Sequence, residues 1–364
     1  MKYGWLRRAL ILLVALNLCA AMVLYSRERP EPELRDLTVW YVESDFPSAA
    51  VHGLTERCRE AGIRLKTVAY KDEAYLSAAF EGLTGGTGAR PDLLYCGHTR
   101  AAQLEERDGL AAIAEPLPVP DSLAQMRPAI GKRFFPIGFR LPVLLVNKEL
   151  TDADFDSLEE LLAAAGESPF LGCECWAALM YTELAAQGIQ LPGLPEEDLK
   201  DPAVAALYNS LARGVFRGGI VTAEDAAAYV RQGLLPCAAV DSVRLGGLTD
   251  AKLDVQLLPL PDGVELRYPA ELMGFALLDG ADTDTAADFF FWLWTGKSAE
   301  TAMEAGLLPF AQVDAELHAG GELGRRLNEL SGNTPLFLMD ADEPFVRNRA
   351  GFERGIREAL DLLT

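Results

Sequence analysis

Strand-like and helix-like segments alternate from residue 37 onward, and this alternation constrains the fold more than any other feature of the chain. Residues 37–42 (LTVWYV) are rich in β-branched and aromatic side chains and predict a first strand. In residues 49–61, apolar side chains recur at helical spacing, and residues 63–69 predict a second strand. Such an alternation implies a mostly parallel sheet covered by helices.

The same alternation continues almost to the C-terminus. Residues 134–150 (FFPIGFRLPVLLVNKEL) form an extended apolar run, and the aromatic cluster at 289–294 is predicted to pack in a core. Further strands are predicted at 93–96, 234–240, 255–260 and 273–278. Further helices are predicted at 75–83, 156–165, 175–186, 202–213, 223–232 and 285–295. A turn is predicted at 97–99, and another helix follows it and ends at residue 106. A chain of 364 residues is too long for one ordinary core and fits two lobes.

The charge balance limits the partners. The chain has 54 acidic and 33 basic residues, a formal net charge of -21. A surface this negative repels nucleic acid and anionic lipid headgroups, so no nucleic-acid partner is predicted. It weakly favours cationic ligands.

The N-terminus carries an export signal. Lys2, Arg7 and Arg8 precede an uncharged run at residues 9–26, and a polar stretch follows. Three fates stay open: cleavage near Cys19, acylation of Cys19 in a sequence that resembles a lipoprotein box (LNLC), and retention of residues 9–25 as a membrane anchor, the shortest length that spans a bilayer. All three place residue 31 onward outside the cytoplasm.

The cysteines do not indicate a metal site or a complete set of disulfides. With Cys19 assigned to the anchor, five cysteines remain, an odd number, and Cys173 and Cys175 are too close in sequence for an ordinary disulfide with each other. Only three histidines occur, His52, His98 and His318. Buried or unpaired thiols are therefore predicted, and neither a metal nor a cofactor is implied.

Four patterns, in this order, resemble one family. They are residues 37–41 (LTVWY), residues 91–95 (PDLLY), the stretch from 136 that ends in NKEL at 147–150, and FFFWLWTGKSAETAMEAGLLP at 289–309. The chain resembles the extracellular solute-binding proteins of ABC importers, family 1, which includes maltose-binding protein. It departs from the family's usual residues at 233–237 and at 271–274.

The resemblance implies a two-lobed α/β fold of the periplasmic-binding-protein type II, with a hinge and an interlobe cleft, behind the N-terminal signal or anchor helix at 1–30. Lobe one is expected at 36–139 plus 272–312, and lobe two at 140–271 plus 313–364. It also implies a monomer that binds a small polar solute and delivers it to the membrane subunits of an ABC permease. A carbohydrate is the favoured solute. A tethered sensor without transport and a receptor for a polyamine or other cation are the alternatives.

Candidate ligand-binding residues follow predicted strands or lie near predicted crossings between the lobes, because open α/β sheets bind ligands at the carboxyl ends of their strands. They are Glu43, Asp45, His98, Arg140, Trp176, Asp241, Ser242 and Tyr268. The carboxylates, His98 and Ser242 offer hydrogen bonds to hydroxyl groups, Arg140 offers a clamp for an anion, and Trp176 and Tyr268 offer stacking surfaces.

Five of these residues also have a structural alternative. Asp45 caps the next helix, His98 lies in a surface turn, Trp176 packs in a core and Tyr268 packs at the hinge. For Arg140 the sequence favours a structural ion pair with a carboxylate over a ligand contact.

The sequence contains no motif that identifies an enzyme. It has neither a G-x-S-x-G elbow nor an H-E-x-x-H helix, and Gly85-Gly86-Thr87-Gly88 lacks the Lys-Ser/Thr that completes a phosphate-binding loop. Cys96 and His98 have no evident third group to orient them. Two carboxylates of a glycosidase are always available among 54 acids, so the carboxylates do not decide the question. The sequence predicts a binding protein rather than an enzyme.

Overall fold

The computed structural model describes residues 34–83, 90–119, 123, 128–189, 200–223, 225–258, 268–309, 321–331, 336–339 and 344–362. The strands are β1 (Arg35–Val42), β2 (Ile63–Tyr70), β3 (Leu93–Gly97), β4 (Phe134–Arg140), β5 (Pro142–Asn147), β6 (Leu171–Cys173), β7 (Ile220–Thr222), β8 (Cys237–Asp241), β9 (Leu253–Leu257), β10 (Tyr268–Leu277), β11 (Leu308–Pro309) and β12 (Leu336–Leu338).

Helices connect most of these strands. They are α1 (Ser48–Cys58), α2 (Glu73–Leu83), α3 (His98–Glu105), α4 (Leu158–Ala164), α5 (Trp176–Ala186), α6 (Pro202–Phe216), α7 (Ala226–Arg231), α8 (Thr283–Trp292), α9 (Ser298–Glu304), α10 (Gly321–Ser331) and α11 (Pro344–Asp361). Short 3₁₀ turns follow α1 and β8, and a π turn joins α8 to α9. Among the described helices, none is both long enough and apolar enough to cross a bilayer. The N-terminal signal or anchor and Cys19 lie outside the described residues.

The strands form two separate sheets, as the α/β alternation predicts. The first has the order β11-β4-β10-β3-β1-β2, with β12 also beside β10, and the second has the order β7-β6-β8-β5-β9. Strands joined by helices, such as β1 and β2 or β6 and β7, pair in parallel. Strands at the crossing, β4, β5 and β10, pair antiparallel with their neighbours in the main order of each sheet. The sheets are therefore mixed, which corrects the expectation of a mostly parallel sheet.

The chain passes from the first sheet to the second at a single residue, Leu141, between β4 and β5. The register of the neighbouring strands then sets which side chains meet at this crossing. Glu271 of β10 lies opposite Arg140, and Asp241 of β8 lies opposite Pro142. The predicted lobe boundaries at 139/140 and 271/272 fall at the crossing. The division of residues between lobes stays a prediction.

Local structure differs from the sequence prediction in three places. Helix α3 begins at His98, so residues 97–99 do not form a separate turn. Helix α7 is shorter than predicted, because the Asp225 carboxylate accepts a hydrogen bond from the Ala228 N–H and caps it. In the aromatic cluster, Phe289 and Phe290 are fully buried as predicted, but Phe291 is 63% exposed.

The five described cysteines, Cys58, Cys96, Cys173, Cys175 and Cys237, are all free and buried. Burial raises the pKa of the Cys58 and Cys237 thiols to about 12. Thiols of this kind are unreactive near neutral pH, because the thiolate is the reactive form.

Candidate functional site

A polar cleft opens between the two sheets. Its main cavity has a volume of about 440 Å³ and is lined by Ser44, Asp45, Arg140, Glu174, Cys175, Asp241, Val243, Arg244, Arg349, Glu353 and Arg357. An adjoining cavity of about 340 Å³ shares some of these residues and adds Thr99, Glu271, Met339 and Val346. Residues just after β1, β3 and β6 and at the end of β8 line these cavities, so the cleft lies at the carboxyl ends of parallel strands.

Arg140 forms the floor of the cleft and contacts three carboxylates. Its Nη1 donates to Asp45 Oδ1 at 3.0 Å, its Nε lies 3.0 Å from Asp241 Oδ2, and its Nη2 lies 3.4 Å from Glu271 Oε2. Burial alone would lower the pKa of Arg140, but the three carboxylates outweigh burial and raise it. Asp45 follows β1 of the first sheet and Asp241 ends β8 of the second sheet, so Arg140 joins the two walls of the cleft.

Glu271 is held in place from the side of β3. Its Oε1 accepts a 2.5 Å hydrogen bond from the Thr99 hydroxyl. Burial is the largest single influence on the pKa of Glu271 and tends to raise it, but the charges of Arg140 and Arg349 and the hydrogen bond from Thr99 contribute to a net lowering. Gly97 leaves the space that this carboxylate occupies, since a Cβ at Gly97 would overlap the Glu271 side chain.

Replacing Gly97 with alanine should therefore displace Glu271 and lower the free energy of unfolding by about 1–3 kcal/mol. Urea denaturation measures the change. Gly82→Ala is the matched control, because a Cβ at Gly82 meets nothing within 4 Å and the residue lies in helix α2. The control should be neutral or slightly stabilising. Equal effects of the two substitutions would show that Glu271 does not need the space.

The C-terminal helix α11 supplies one wall of the cleft. Arg349, Glu353 and Arg357 follow one another at four-residue spacing and so share one face of the helix. Glu353 accepts hydrogen bonds from the backbone N–H groups of Trp176 (3.1 Å) and Ala177 (2.6 Å), at the start of α5. A carboxylate in this position satisfies N–H groups that lack a partner within the helix.

Arg349 is held more loosely than Arg140. Its Nη2 lies 3.4 Å from Asp241 Oδ2 and its Nη1 lies 3.8 Å from Glu271 Oε2. Both contacts are long for charge-assisted hydrogen bonds. Arg349 lines both cavities of the cleft, so its remaining donors face the space that a ligand would occupy.

Glu174 and its partners complete the opposite end of the cleft. Its Oε2 lies 3.0 Å from Arg244 Nε, and its Oε1 accepts a 2.8 Å hydrogen bond from the Ala227 N–H in helix α7. Arg357 donates to the Glu174 carbonyl oxygen at 3.0 Å. Burial raises the pKa of both Glu174 and Glu353, although their hydrogen bonds and arginine partners partly offset it.

The structure brings three of the sequence-predicted residues together at the cleft: Asp45, Arg140 and Asp241. The ion pairs of Arg140 agree with the structural interpretation that the sequence favoured for it. Glu43 is exposed and lies outside the cavity lining, although it follows the same strand as Asp45. The role of all four in ligand binding stays a prediction.

The ligand contact of His98 stays a prediction, and the structure places this residue in the interior. This side chain is fully buried, and both ring nitrogens contact the backbone. Nδ1 accepts a hydrogen bond from the Leu272 N–H at 3.2 Å, so the proton lies on Nε2, which donates to the Met339 carbonyl at 2.9 Å. His98 therefore fixes strand β10 and offers no free nitrogen to a ligand.

Trp176, Ser242 and Tyr268 are buried as well, and their ligand contacts stay predictions. Trp176 and Ser242 are fully buried, and Tyr268 is 6% exposed. Trp176 packs in the core beside the second sheet, the Ser242 hydroxyl accepts a long hydrogen bond (3.4 Å) from the Leu141 N–H, and Tyr268 packs in a core beside the crossing. In this conformation the three side chains present almost no surface to the cleft.

Several cleft residues were not predicted from the sequence, namely Thr99, Glu174, Arg244, Glu271, Arg349, Glu353 and Arg357. For Arg349, Glu353 and Arg357, the sequence does contain a pattern that indicates a shared helix face. In α11 the charged residues 349, 353 and 357 alternate with the buried Phe352 and Ile356, so one face of an amphipathic helix carries a regular charge pattern. Nothing in that pattern indicates which wall of the protein the helix covers.

No family model matches the sequence, and no curated protein matches it. Several solved structures are similar to this chain in fold. The GacH receptor of Streptomyces glaucescens GLA.O, solved unliganded and with acarbose, has a TM-score of 0.69 at 16% identity, over 91% of this chain and 95% of that one. A substrate-binding protein of an ABC transporter from Listeria monocytogenes, in complex with cycloalternan, has a TM-score of 0.69 at 13% identity, over 91% and 95%.

A spermidine/putrescine substrate-binding protein, PotD from Streptococcus pneumoniae, is also similar, with a TM-score of 0.63 at 14% identity, over 90% of this chain and 99% of that one. At these identities the similarity establishes the fold. The chain has the two-sheet α/β fold of periplasmic binding proteins. Of these three neighbours, two were solved with acarbose or cycloalternan, and the third is named as a spermidine/putrescine substrate-binding protein.

Proposed function

We propose that this chain is an extracytoplasmic solute-binding receptor of an ABC importer, and that it binds a small polar solute between its lobes without catalysing a reaction. The observation that carries the proposal is the position and chemistry of the cleft. Both sheets direct the carboxyl ends of their strands into it, and charged side chains from both lobes meet at the crossing, on Arg140.

A cleft between two lobes fits a receptor that closes on its ligand. The lobes are joined where β4 continues into β5, so a few backbone angles near Leu141 would allow a hinge motion. A ligand that contacts both walls binds the closed form better and shifts the population toward it. The closed form then docks on the permease.

The sequence favoured a carbohydrate, partly because of Trp176 and Tyr268. These two rings are buried in the structure, and no aromatic residue is among the described residues that line the two cavities. Support for a sugar now comes from the polar lining, which can bind hydroxyl groups, and from sugar-binding proteins among the structural neighbours. The charged lining equally suits an ionic solute.

The location is proposed from the N-terminal sequence. The basic start and the apolar run at residues 9–26 support export, and the anchor or an acylated Cys19 would hold the receptor at the outer face of the cell membrane. A monomer is the proposed working unit.

Thermal unfolding of the full-length protein in detergent, against a panel of oligosaccharides, amines, amino acids and short peptides, tests the proposal. A ligand at about 100 times its Kd should stabilise the fold by about 2.7 kcal/mol, which raises Tm on the order of 5 °C. Spin labels on the exposed positions Lys66 and Phe216, one in each lobe, should report a shorter distance with the same ligand. No stabilisation by any member of the panel would count against a solute receptor.

A further inference from the structure

Carboxylates outnumber guanidinium groups in the cleft. The described lining residues include the acids Asp45, Glu174, Asp241, Glu271 and Glu353 and the arginines Arg140, Arg244, Arg349 and Arg357. Two of the acids form their own pairs at the edge, Glu174 with Arg244 at 3.0 Å and Glu353 with Arg357 at 3.4 Å. The three remaining acids face only Arg140 and Arg349.

Of these three carboxylates, Asp45 contacts the fewest arginines. Asp241 and Glu271 each contact both Arg140 and Arg349. Among the described arginines, only Arg140 contacts the Asp45 carboxylate, at 3.0 Å. Its side chain is 28% exposed, and it lines the main cavity.

The acid–base properties of the cluster agree with this geometry. Burial raises the pKa of Asp45, the charge of Arg140 offsets only part of the effect, and Glu271 and Asp241 add to it. The pKa of Glu271 is instead lowered. Asp45 is therefore the member of the cluster whose ionised form most lacks a positive partner.

We infer that the solute carries a protonated amine, and that this ammonium group binds Asp45 from the cavity side. The inference rests on the proposed function and names the chemical class of its ligand. An ammonium group has three donors and a full positive charge, which would balance the excess carboxylate. Ser44, the neighbouring residue of the lining, offers a hydroxyl oxygen as a further acceptor. A metal ion is a poorer candidate, because the described residues contain no group of three or more side chains able to hold one.

The rest of the cavity fits a polar molecule. A volume of about 440 Å³ is much larger than an ammonium group, and Arg244 and Arg349 also line it. Their guanidinium donors face the space beyond Asp45 and can bind hydroxyl or other acceptor oxygens of the same solute. A small hydroxylated amine, of the amino-sugar type, would use both features.

Pairs of probes that differ only in the charged group give the sharpest test. Calorimetry with the full-length protein would compare glucosamine with glucose, and putrescine with 1,4-butanediol. We expect the amine of at least one pair to bind at least about tenfold more tightly than its uncharged partner. Asp45→Asn should weaken that amine about 10- to 100-fold, whereas Asp152→Asn, which removes an exposed carboxylate outside the lining, should not.

Loss of binding must be separated from loss of folding. Because Asp45 is short of a partner, Asp45→Asn should leave the Tm of the ligand-free protein unchanged or raise it. Asp241→Asn should lower that Tm, since Asp241 contacts two arginines. A lower Tm of Asp45→Asn than of Asp241→Asn would overturn the assignment of the charge shortage to Asp45.

The pH dependence supplies a further readout. Asp45 is faced by Arg140, Arg349, Asp241 and Glu271, with Tyr95 and Glu73 also near it and Arg100 paired with Glu73. The amine needs the ionised carboxylate, so affinity should be lost as the pH falls through the raised pKa of Asp45. Putrescine, which stays protonated throughout, is the appropriate probe, and Asp45→Asn should flatten the profile.

The outcomes distinguish this inference from the receptor proposal. If a neutral solute binds as tightly as its amine partner and Asp45→Asn leaves its affinity unchanged, the inference falls and the receptor stands. If neither these pairs nor the wider panel bind, both fall.

Discussion

Replacing Arg140 with methionine is expected to lower the free energy of unfolding by about 3–5 kcal/mol, because it leaves three carboxylates at the floor of the cleft with only the loosely held Arg349 to balance them. The side chain of Arg140 is 16% exposed, so little solvent is available to compensate. Methionine keeps an unbranched chain and removes the charge. Urea denaturation at neutral pH, followed by tryptophan fluorescence, measures the loss.

Arg35→Met is the matched control for this prediction. Arg35 forms an arginine–aspartate pair with Asp288 at 2.6 Å, but the two side chains are 45% and 62% exposed. An exposed pair contributes little, so this variant should lose little or no stability. Similar losses in the two variants would mean that burial of the Arg140 cluster has no energetic consequence. Lowering the pH should reduce the deficit of Arg140→Met, because protonation removes the unbalanced negative charge.

Gly306→Ala is the second substitution with a large expected effect, about 2–5 kcal/mol of lost stability. Gly306 follows helix α9 in the first lobe and has a φ of +74°, a conformation that an L side chain rarely adopts. A Cβ there would overlap the Ser242 carbonyl oxygen and lie 2.7 Å from the Gly246 nitrogen. Both contacts are backbone atoms just after β8, so neither can move aside as a flexible side chain would.

Gly62→Ala separates backbone strain from the steric clash. Gly62 has nearly the same φ, +72°, but a Cβ there meets nothing within 4 Å. It should cost only the left-handed conformation, about 1–2 kcal/mol. Thermal and chemical denaturation of both variants would measure the difference. If Gly306→Ala costs no more than Gly62→Ala, Gly306 does not lie tightly against the backbone that follows β8.

Much of the fold follows from local patterns. The apolar alternation at residues 37–42, 63–69 and 93–96 predicted β1, β2 and β3, and the helical spacing of Val51, Leu54 and Cys58 predicted α1. Asp45 and Asp241 were selected because they follow strands, and the structure places both in the cleft. The strand and helix predictions succeeded because side-chain periodicity is a property of short segments, and the ligand-binding role of the two aspartates stays a prediction.

The burial of individual side chains was much harder to predict. Trp176 and His98 also lie where strands give way to helices, yet both point into cores. Trp176 is covered because α11 packs on α5. Glu353 of α11 also accepts a hydrogen bond from the Trp176 N–H at the start of α5. A contact between residues so distant in the sequence leaves no local pattern.

The sequence by itself determined the α/β alternation, the apolar run of the crossing strands and the excess of acidic residues, because each depends on periodicity or composition. Only the tertiary structure decided how those charges pair. Arg140 meets Glu271 through the register of β4 and β10, and it meets Asp45 and Asp241 because the carboxyl ends of two different sheets converge on one crossing. Ion pairing depends on distances of a few ångströms between distant parts of the chain, and those distances are a consequence of packing.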